Sequence, residues 1–161
     1  MFENYDTRTG TTVYPPTPFA SGSLEATIET HPDFKSSRVS FRASSNLTFE
    51  IYATNDEFPD KRGWSFRFDY NIKAGKYFIN DNAVKKVWYT RQIPGQPPGN
   101  DNVYLPAKVI GTVTIKEIDL TKGRFNADFD FSVIHIVENK IFKTEGKIDV
   151  WDMEKIPSDS N

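Results

Sequence analysis

Val109-Ile110-Gly111-Thr112-Val113-Thr114-Ile115, then the turn Asp119-Leu120-Thr121-Lys122-Gly123, then Phe125-Asn126-Ala127-Asp128-Phe129-Asp130-Phe131-Ser132-Val133, decide the fold class. Val109, Val113 and Ile115 alternate with polar residues, as do Phe125, Ala127, Phe129, Phe131 and Val133. A strand sends alternate side chains to one face, whereas a helix would scatter this pattern around its axis. The turn between the two runs suits a hairpin, and its Gly123 can supply the positive φ of a bulged turn.

The same period recurs in both directions along the chain. Leu24, Ala26 and Ile28 alternate with Glu25, Thr27 and Glu29, and Val39, Phe41 and Ala43 alternate with Arg38, Ser40 and Arg42. Ser44-Ser45-Asn46 reads as a turn into Leu47, Phe49, Ile51 and Ala53, which predicts a second hairpin. Trp64, Phe66, Phe68 and Tyr70 form the most aromatic strand, expected near the centre of a sheet. Lys76 to Ile79, the turn Asn80-Asp81-Asn82 and a strand from Ala83 to Arg91 read as a short meander. A last strand runs from about Lys140 to Asp152, with Phe142, Thr144, Gly146, Ile148 and Val150 on one parity. Only Asn82 to Val87, through the spacing of Val84, Val87 and Trp88, fits a helical turn as well as a strand.

The expected fold is therefore all-β: an antiparallel β-sandwich or partly closed β-barrel of about eight or nine strands. Its expected core is Phe41, Phe49, Ile51, Phe66, Phe68, Val113, Ile115, Phe129, Phe131 and Ile148. The chain has 161 residues, which suits one domain. Residues 1–22, with Tyr14-Pro15-Pro16-Thr17-Pro18 at their heart, read as an extended arm; residues 23–153 as the domain; residues 154–161 as a tail.

Composition excludes several classes. Aromatics make up 14% of the chain, enough bulk to drive folding. There is no Cys, so no disulfide framework, thiolate zinc site or cysteine nucleophile exists. Lys+Arg 20 against Asp+Glu 22 gives a net charge of −2 without a basic stripe, which argues against a nucleic-acid partner. No apolar run reaches the roughly 18 residues of a membrane helix, and the first ten residues lack the apolar stretch of a signal peptide. If Met1 replaces a longer leader, a cell-envelope, periplasmic or extracellular address is favoured; otherwise the expectation is cytoplasmic.

Four segments taken together suggest a resemblance. They are Asn71-Ile72-Lys73-Ala74-Gly75-Lys76-Tyr77-Phe78-Ile79, then Gly111 to Ile115 with Ile118-Asp119, then Phe125 to Phe131, then Thr144-Glu145-Gly146-Lys147-Ile148-Asp149-Val150. In type and order they resemble a family of small uncharacterised bacterial all-β domains often carried on envelope lipoproteins. The resemblance implies a fold and an envelope address, and no catalytic residues. The lipid-attachment Cys is missing and the long Pro-Gly loop is a departure, which puts membrane anchoring in question.

Candidate chemistry is sparse. Asp128 and Asp130 lie two apart on one strand, roughly 6.5–7 Å by strand rise, a spacing that suits an inverting glycosidase pair. The preferred reading is a solvated face with Arg124 and nearby Lys as partners. Asn80-Asp81-Asn82 and Asn100-Asp101-Asn102 look like fragments of calcium loops but lack the remaining ligands, so turn chemistry accounts for them better. His31 and His135 are too few for a metal site, and His135 reads as a structural histidine held by a backbone or carboxylate partner. No catalytic residue, metal or cofactor is expected, and the Asn46-Leu47-Thr48 sequon carries no weight.

Residues 92–102 hold three prolines and two glycines and must form a long surface loop. Trp88, Tyr89 and Tyr104, with Tyr52 and Trp151 as further candidates, fall outside the inward parity or beside that loop. Exposed aromatics of this kind grip sugars and protein partners. The expected function is a non-catalytic binding or adhesion-type module, contacting a protein or glycan partner through Trp88, Tyr89, Gln92, Asn102 and Tyr104. A lipocalin-like barrel with an internal ligand cavity is the alternative, and a glycan hydrolase using Asp128 and Asp130 a third.

Overall fold

In the computed structural model, the described residues are 4–6, 11–13, 20–43, 47–55, 61–92, 95, 102–107 and 111–154, with side chains from 20 onward. The Tyr14 to Pro18 tract, the 44–46 turn, residues 56–60, Val109, most of the 92–102 loop and the tail beyond 154 lie outside them. The strands are β1 (Asn4–Asp6), β2 (Thr11–Val13), β3 (Ser21–Ile28), β4 (Phe34–Ser36), β5 (Val39–Ala43), β6 (Thr48–Asn55) and β7 (Lys61–Asp69). They continue as β8 (Gly75–Phe78), β9 (Val84–Gln92), β10 (Val103–Pro106), β11 (Thr112–Asp119), β12 (Arg124–His135) and β13 (Ile141–Trp151). Among the described residues there is no helix, and none long and apolar enough to cross a membrane.

The fold is all-β, as the alternation dictates. An antiparallel sheet runs in the order β4-β3-β13-β12-β10-β9-β7-β6-β5, and β11 and β8 branch from β12. The sheet nearly closes into a barrel, and one seam at β5 is bridged rather than laddered. There Ala20 N–H donates to the Val39 carbonyl at 2.8 Å, Glu154 N–H to Phe41 at 2.7 Å, and Ala43 N–H to Glu154 at 3.2 Å. Long β12 makes this topology possible. One edge pairs with β13 over its length, while the other pairs with β11 from Arg124 to Asp130 and with β10 from Val133 to His135.

The expected core residues are all buried. Alternate positions of each strand turn inward, and their rings form a continuous column. Phe49 meets Phe68 at 5.4 Å and Phe125 at 5.5 Å between centroids; Phe66 meets Phe129 at 5.0 Å; Trp64 meets Phe129 at 5.5 Å. Tilted and edge contacts at these distances are the favourable ring geometries. Gly146 is required beneath them, because a Cβ there would run into the Glu25 carbonyl and the tip of the Phe129 ring. Gly123 adopts φ 71° and closes the β11–β12 turn with a bond to the Leu120 carbonyl, as its place after Lys122 leads one to expect.

Two sequence expectations change and one open alternative is resolved. The meander through 76–91 does not form, because β8 pairs with β11, so Asn80 to Ala83 connect two different parts of the sheet. That turn is Asx chemistry, with Ala83 N–H donating to Asp81 Oδ1 at 2.9 Å. The 82–87 stretch with helical spacing enters β9, whose register against β7 shifts between Arg67 and Phe68. That bulge lets Val84 and Val87 both face inward. Finally, residues 4–6 and 11–13, placed by sequence in an extended arm, form a two-stranded antiparallel sheet.

Candidate functional site

Strand parity carries an aromatic lining up the barrel until, at the end formed by Gln92, Tyr104, His135 and Ile141, the lining becomes polar. A cleft of about 430 Å³ opens there, lined by Thr30, His31, Arg91, Asn102, Tyr104, Glu138, Lys140 and Phe142. Four separate regions build it: the β3–β4 turn, the ends of β9 and β10 that flank the long loop, the β12–β13 turn, and the start of β13.

Its floor is a cluster of rings. Tyr104 lies 5.2 Å from Tyr89, 4.8 Å from His135 and 5.7 Å from Phe142, and His31 lies 5.1 Å from Phe142. Trp64 joins this cluster to the core, 4.9 Å from Tyr89. Its buried indole Nε1 finds no hydrogen-bond acceptor among the described residues, a local cost in an otherwise well-packed column.

Beneath the floor lies Arg62, at an inward position of β7 and only 8% exposed. Its guanidinium donates to the carbonyls of Pro32 at 2.5 Å and Asp33 at 2.9 Å. It thereby fixes the β3–β4 turn as one wall of the cleft. The Tyr89 hydroxyl lies 3.4 Å from His31 Nδ1. Burial raises Tyr89 from its ordinary 10.0 to about 12, with Arg62 pulling the other way. His135 is fixed as expected of a structural histidine: its Nδ1 accepts from the Glu138 N–H at 3.0 Å. The Glu138 carboxylate stands 3.7 Å from the same nitrogen. Since Nδ1 is already an acceptor, the backbone bond governs the tautomer.

Of the residues proposed from sequence, Asn102 and Tyr104 line the cleft. Tyr104 is not an exposed aromatic: it is 6% exposed and points inward, and Tyr89 is fully buried. The expectation of exposed aromatics fails here: the β9 bulge resets the alternation so that Tyr89 turns inward, and Tyr104, beside the loop, packs against it at the barrel end. Trp88, next to Tyr89, faces the opposite way, half-buried with Lys86 Nζ 4.0 Å above its ring. Trp88 and Tyr89 therefore cannot share one contact surface. Gln92 ends β9 opposite Lys61 and, like Trp88, is not part of the cleft lining. His31, Arg62, Arg91, Glu138, Lys140 and Phe142 were not legible as site residues, since only barrel closure brings them together.

Asp128 and Asp130 lie on the outer face of β12, remote in orientation from the cleft. Asp128 pairs with Lys116 at 2.7 Å, while Arg124 pairs instead with Glu117 and Asp149. Among the described residues no group of three or more His, Cys, Asp or Glu could hold a metal ion. No family model, curated protein or solved structure matches the chain.

Proposed function

We propose that this protein is a non-catalytic binding module that receives a small polar, ring-bearing ligand, such as the terminal sugar of a glycan, in the cleft at the barrel mouth. The single observation behind this reading is the change in the inward face, from packed phenyl rings below to a rimmed cleft of about 430 Å³ above. Ligand sites are concave, with an apolar floor and a few convergent polar groups. Here half-buried Phe142, backed by Tyr104, supplies apolar ring surface, and Asn102, Arg91, Glu138 and Lys140 supply donors and acceptors around it.

Relative to the surface-loop reading, the contact region moves from exposed aromatics to the strand ends that carry the loop. A carrier with a central cavity is less well supported, because ring-to-ring packing occupies the column from Phe41 to Tyr89. Against a hydrolase stands the outer-face placement of Asp128 and its pairing with Lys116. The cell-envelope address enters this reading through the four-segment lipoprotein resemblance alone, and fractionation of the native host would test it.

The functional test is a glycan array probed with wild type and with the Phe142→Ala/Asn102→Ala double variant, each first shown to be folded by urea melting. Wild type should bind a restricted set of glycans and the double variant should lose about tenfold or more in affinity. Unchanged binding by the double variant would place the ligand elsewhere and overturn the proposal.

A further inference from the structure

The outer face of the barrel, at the end where the cleft opens, carries apolar surface that the fold leaves in water. Of the seven large hydrophobic side chains exposed among the described residues, four gather there: Leu105, Ile136, Val137 and Ile141. The register makes them neighbours. Leu105 stands opposite Ile134 and Ile134 opposite Ile141, so β10, β12 and β13 contribute one row. That row points outward, since Tyr104, Val133 and His135 on the alternate positions are buried. Ile136 follows in the β12–β13 turn, where its N–H donates to the Val103 carbonyl. Trp88, outward on β9 beside Tyr89, extends the row, with the Lys86 ammonium 4.0 Å above its ring. Val137 in the turn is 68% exposed and Ile136 51%.

We propose that this surface is a membrane-contact face, which enters the interfacial layer of a lipid bilayer through Ile136 and Val137. The contact goes beyond the binding reading above and needs no ligand in the cleft. Two features choose a lipid surface over a protein partner. The first is area. Four strands about 4.8 Å apart and two rows of side chains about 7 Å apart give a face of roughly 15 by 10 Å, several-fold short of the roughly 800 Å² that each side of a stable protein pair buries. The second is shape: fluid acyl chains cover side chains that stand out from a turn on every side, whereas a rigid partner needs a hole already formed to receive them. Composition agrees, because aliphatic residues with an indole and a lysine stem beside them suit the bilayer interface, where the stem lies along apolar surface and the amine stays in water. The Glu138–Lys140 pair, 3.6 Å apart, lies on the cleft side of the same turn and remains in the polar layer. Seating the turn in this way sets the cleft opening at the level of the lipid headgroups.

The experiment is flotation of the full chain with phosphatidylcholine vesicles, and with vesicles containing added phosphatidylglycerol, at low and high salt. The proteins are wild type, the Ile136→Ser/Val137→Ser double variant and Phe78→Ser, which alters an exposed ring on β8; each is first shown to be folded by urea melting. Wild type should float with the neutral vesicles at both salt concentrations, because apolar burial is not screened. The double variant should lose at least about tenfold in partition coefficient, and Phe78→Ser should float like wild type. The chain has no Cys, so Val137→Cys takes a single environment-sensitive fluorophore, whose emission should shift to the blue with vesicles while the same label at Phe78→Cys does not respond. Flotation that requires the anionic lipid and vanishes in salt would overturn insertion. Equal loss on Phe78→Ser would overturn the assignment to this face. Dimers seen by light scattering and abolished by the double variant, with no flotation, would give the face to a second copy and overturn the lipid. No flotation of wild type, or flotation unchanged by the double variant, would overturn the proposal outright. Since the vesicles carry no sugar, each of these results is separate from the fate of the cleft reading.

Discussion

The lower barrel interior and the barrel mouth are built on the same strands under the same alternation, yet they are stabilised in different ways. Below, Phe49, Phe66, Phe68, Phe125 and Phe129 need only shape and area, and each is essentially removed from water. Above, Arg62, Tyr89, Tyr104 and His135 occupy the same inward parity and are also buried, but each carries polar atoms that must find partners. Burial alone therefore does not distinguish a core from a site. The distinction lies in whether inward side chains are satisfied by one another's surfaces or by directed bonds to turns, and the second solution leaves a rimmed opening.

The largest expected effect comes from the lower region. Phe129→Ala removes a ring that touches Trp64, Phe66 and Phe131, and should cost about 3–5 kcal/mol in urea melts. A loss below about 1 kcal/mol would mean that the column is far looser than its ring distances indicate. Arg62→Met conserves much of the side-chain length but strands the Pro32 and Asp33 carbonyls. About 2 kcal/mol should be lost, with faster amide exchange confined to the β3–β4 turn. If exchange rose equally throughout the barrel, the guanidinium would be a global strut and not a local one.

Tyr89 sharpens the comparison through pH. Its folded pKa is raised to about 12 from 10.0, with burial as the leading cause. The folded state therefore holds its proton where the unfolded chain has released it. Stability present below pH 10 should fall between pH 10 and about 12, by up to about 1.4 kcal/mol per pH unit from this group. Tyr89→Phe should cost about 1 kcal/mol at neutral pH, through the lost hydroxyl contact with His31, and should flatten the alkaline slope relative to wild type. Identical slopes for the two proteins would place the phenol in water. The smallest effect belongs to the outer face: Asp128→Asn breaks an exposed pair with Lys116 and should shift stability by less than about 1 kcal/mol, measured by the same denaturant melts.

The same contrast explains what was legible in the sequence. The lower region was readable because Phe125, Phe129 and Phe131 advertise their face by period two, and the β5–β6 and β11–β12 hairpins pair neighbours along the chain. The β8–β11 pairing was not, since it joins strands separated by all of β9 and β10. Tyr89 was misread because one bulge near Lys85 breaks the count of two, the same irregularity that gave Val84, Val87 and Trp88 a helical look. At the mouth, Asn102 and Tyr104 were singled out through their place beside the long loop, and both line the cleft. Arg62 and Phe142 gave no local signal, because inward polar positions look like solvated ones until closure shows what faces them.

The seam at β5 has a consequence in time. Its bridges tie Val39 to Ala20 and the strand's end to Glu154, so the barrel cannot shut until nearly the whole domain has been synthesised. Contacts between residues far apart in sequence carry a large loop-closure entropy and slow the search for the native state. A nascent chain emerging from the ribosome can form the β5–β6–β7 meander early, and once β9 has paired with β7 the short outer edge of β5 is still unpaired at Phe41 and Ala43. That edge remains open to neighbouring chains until Glu154 arrives to cover it.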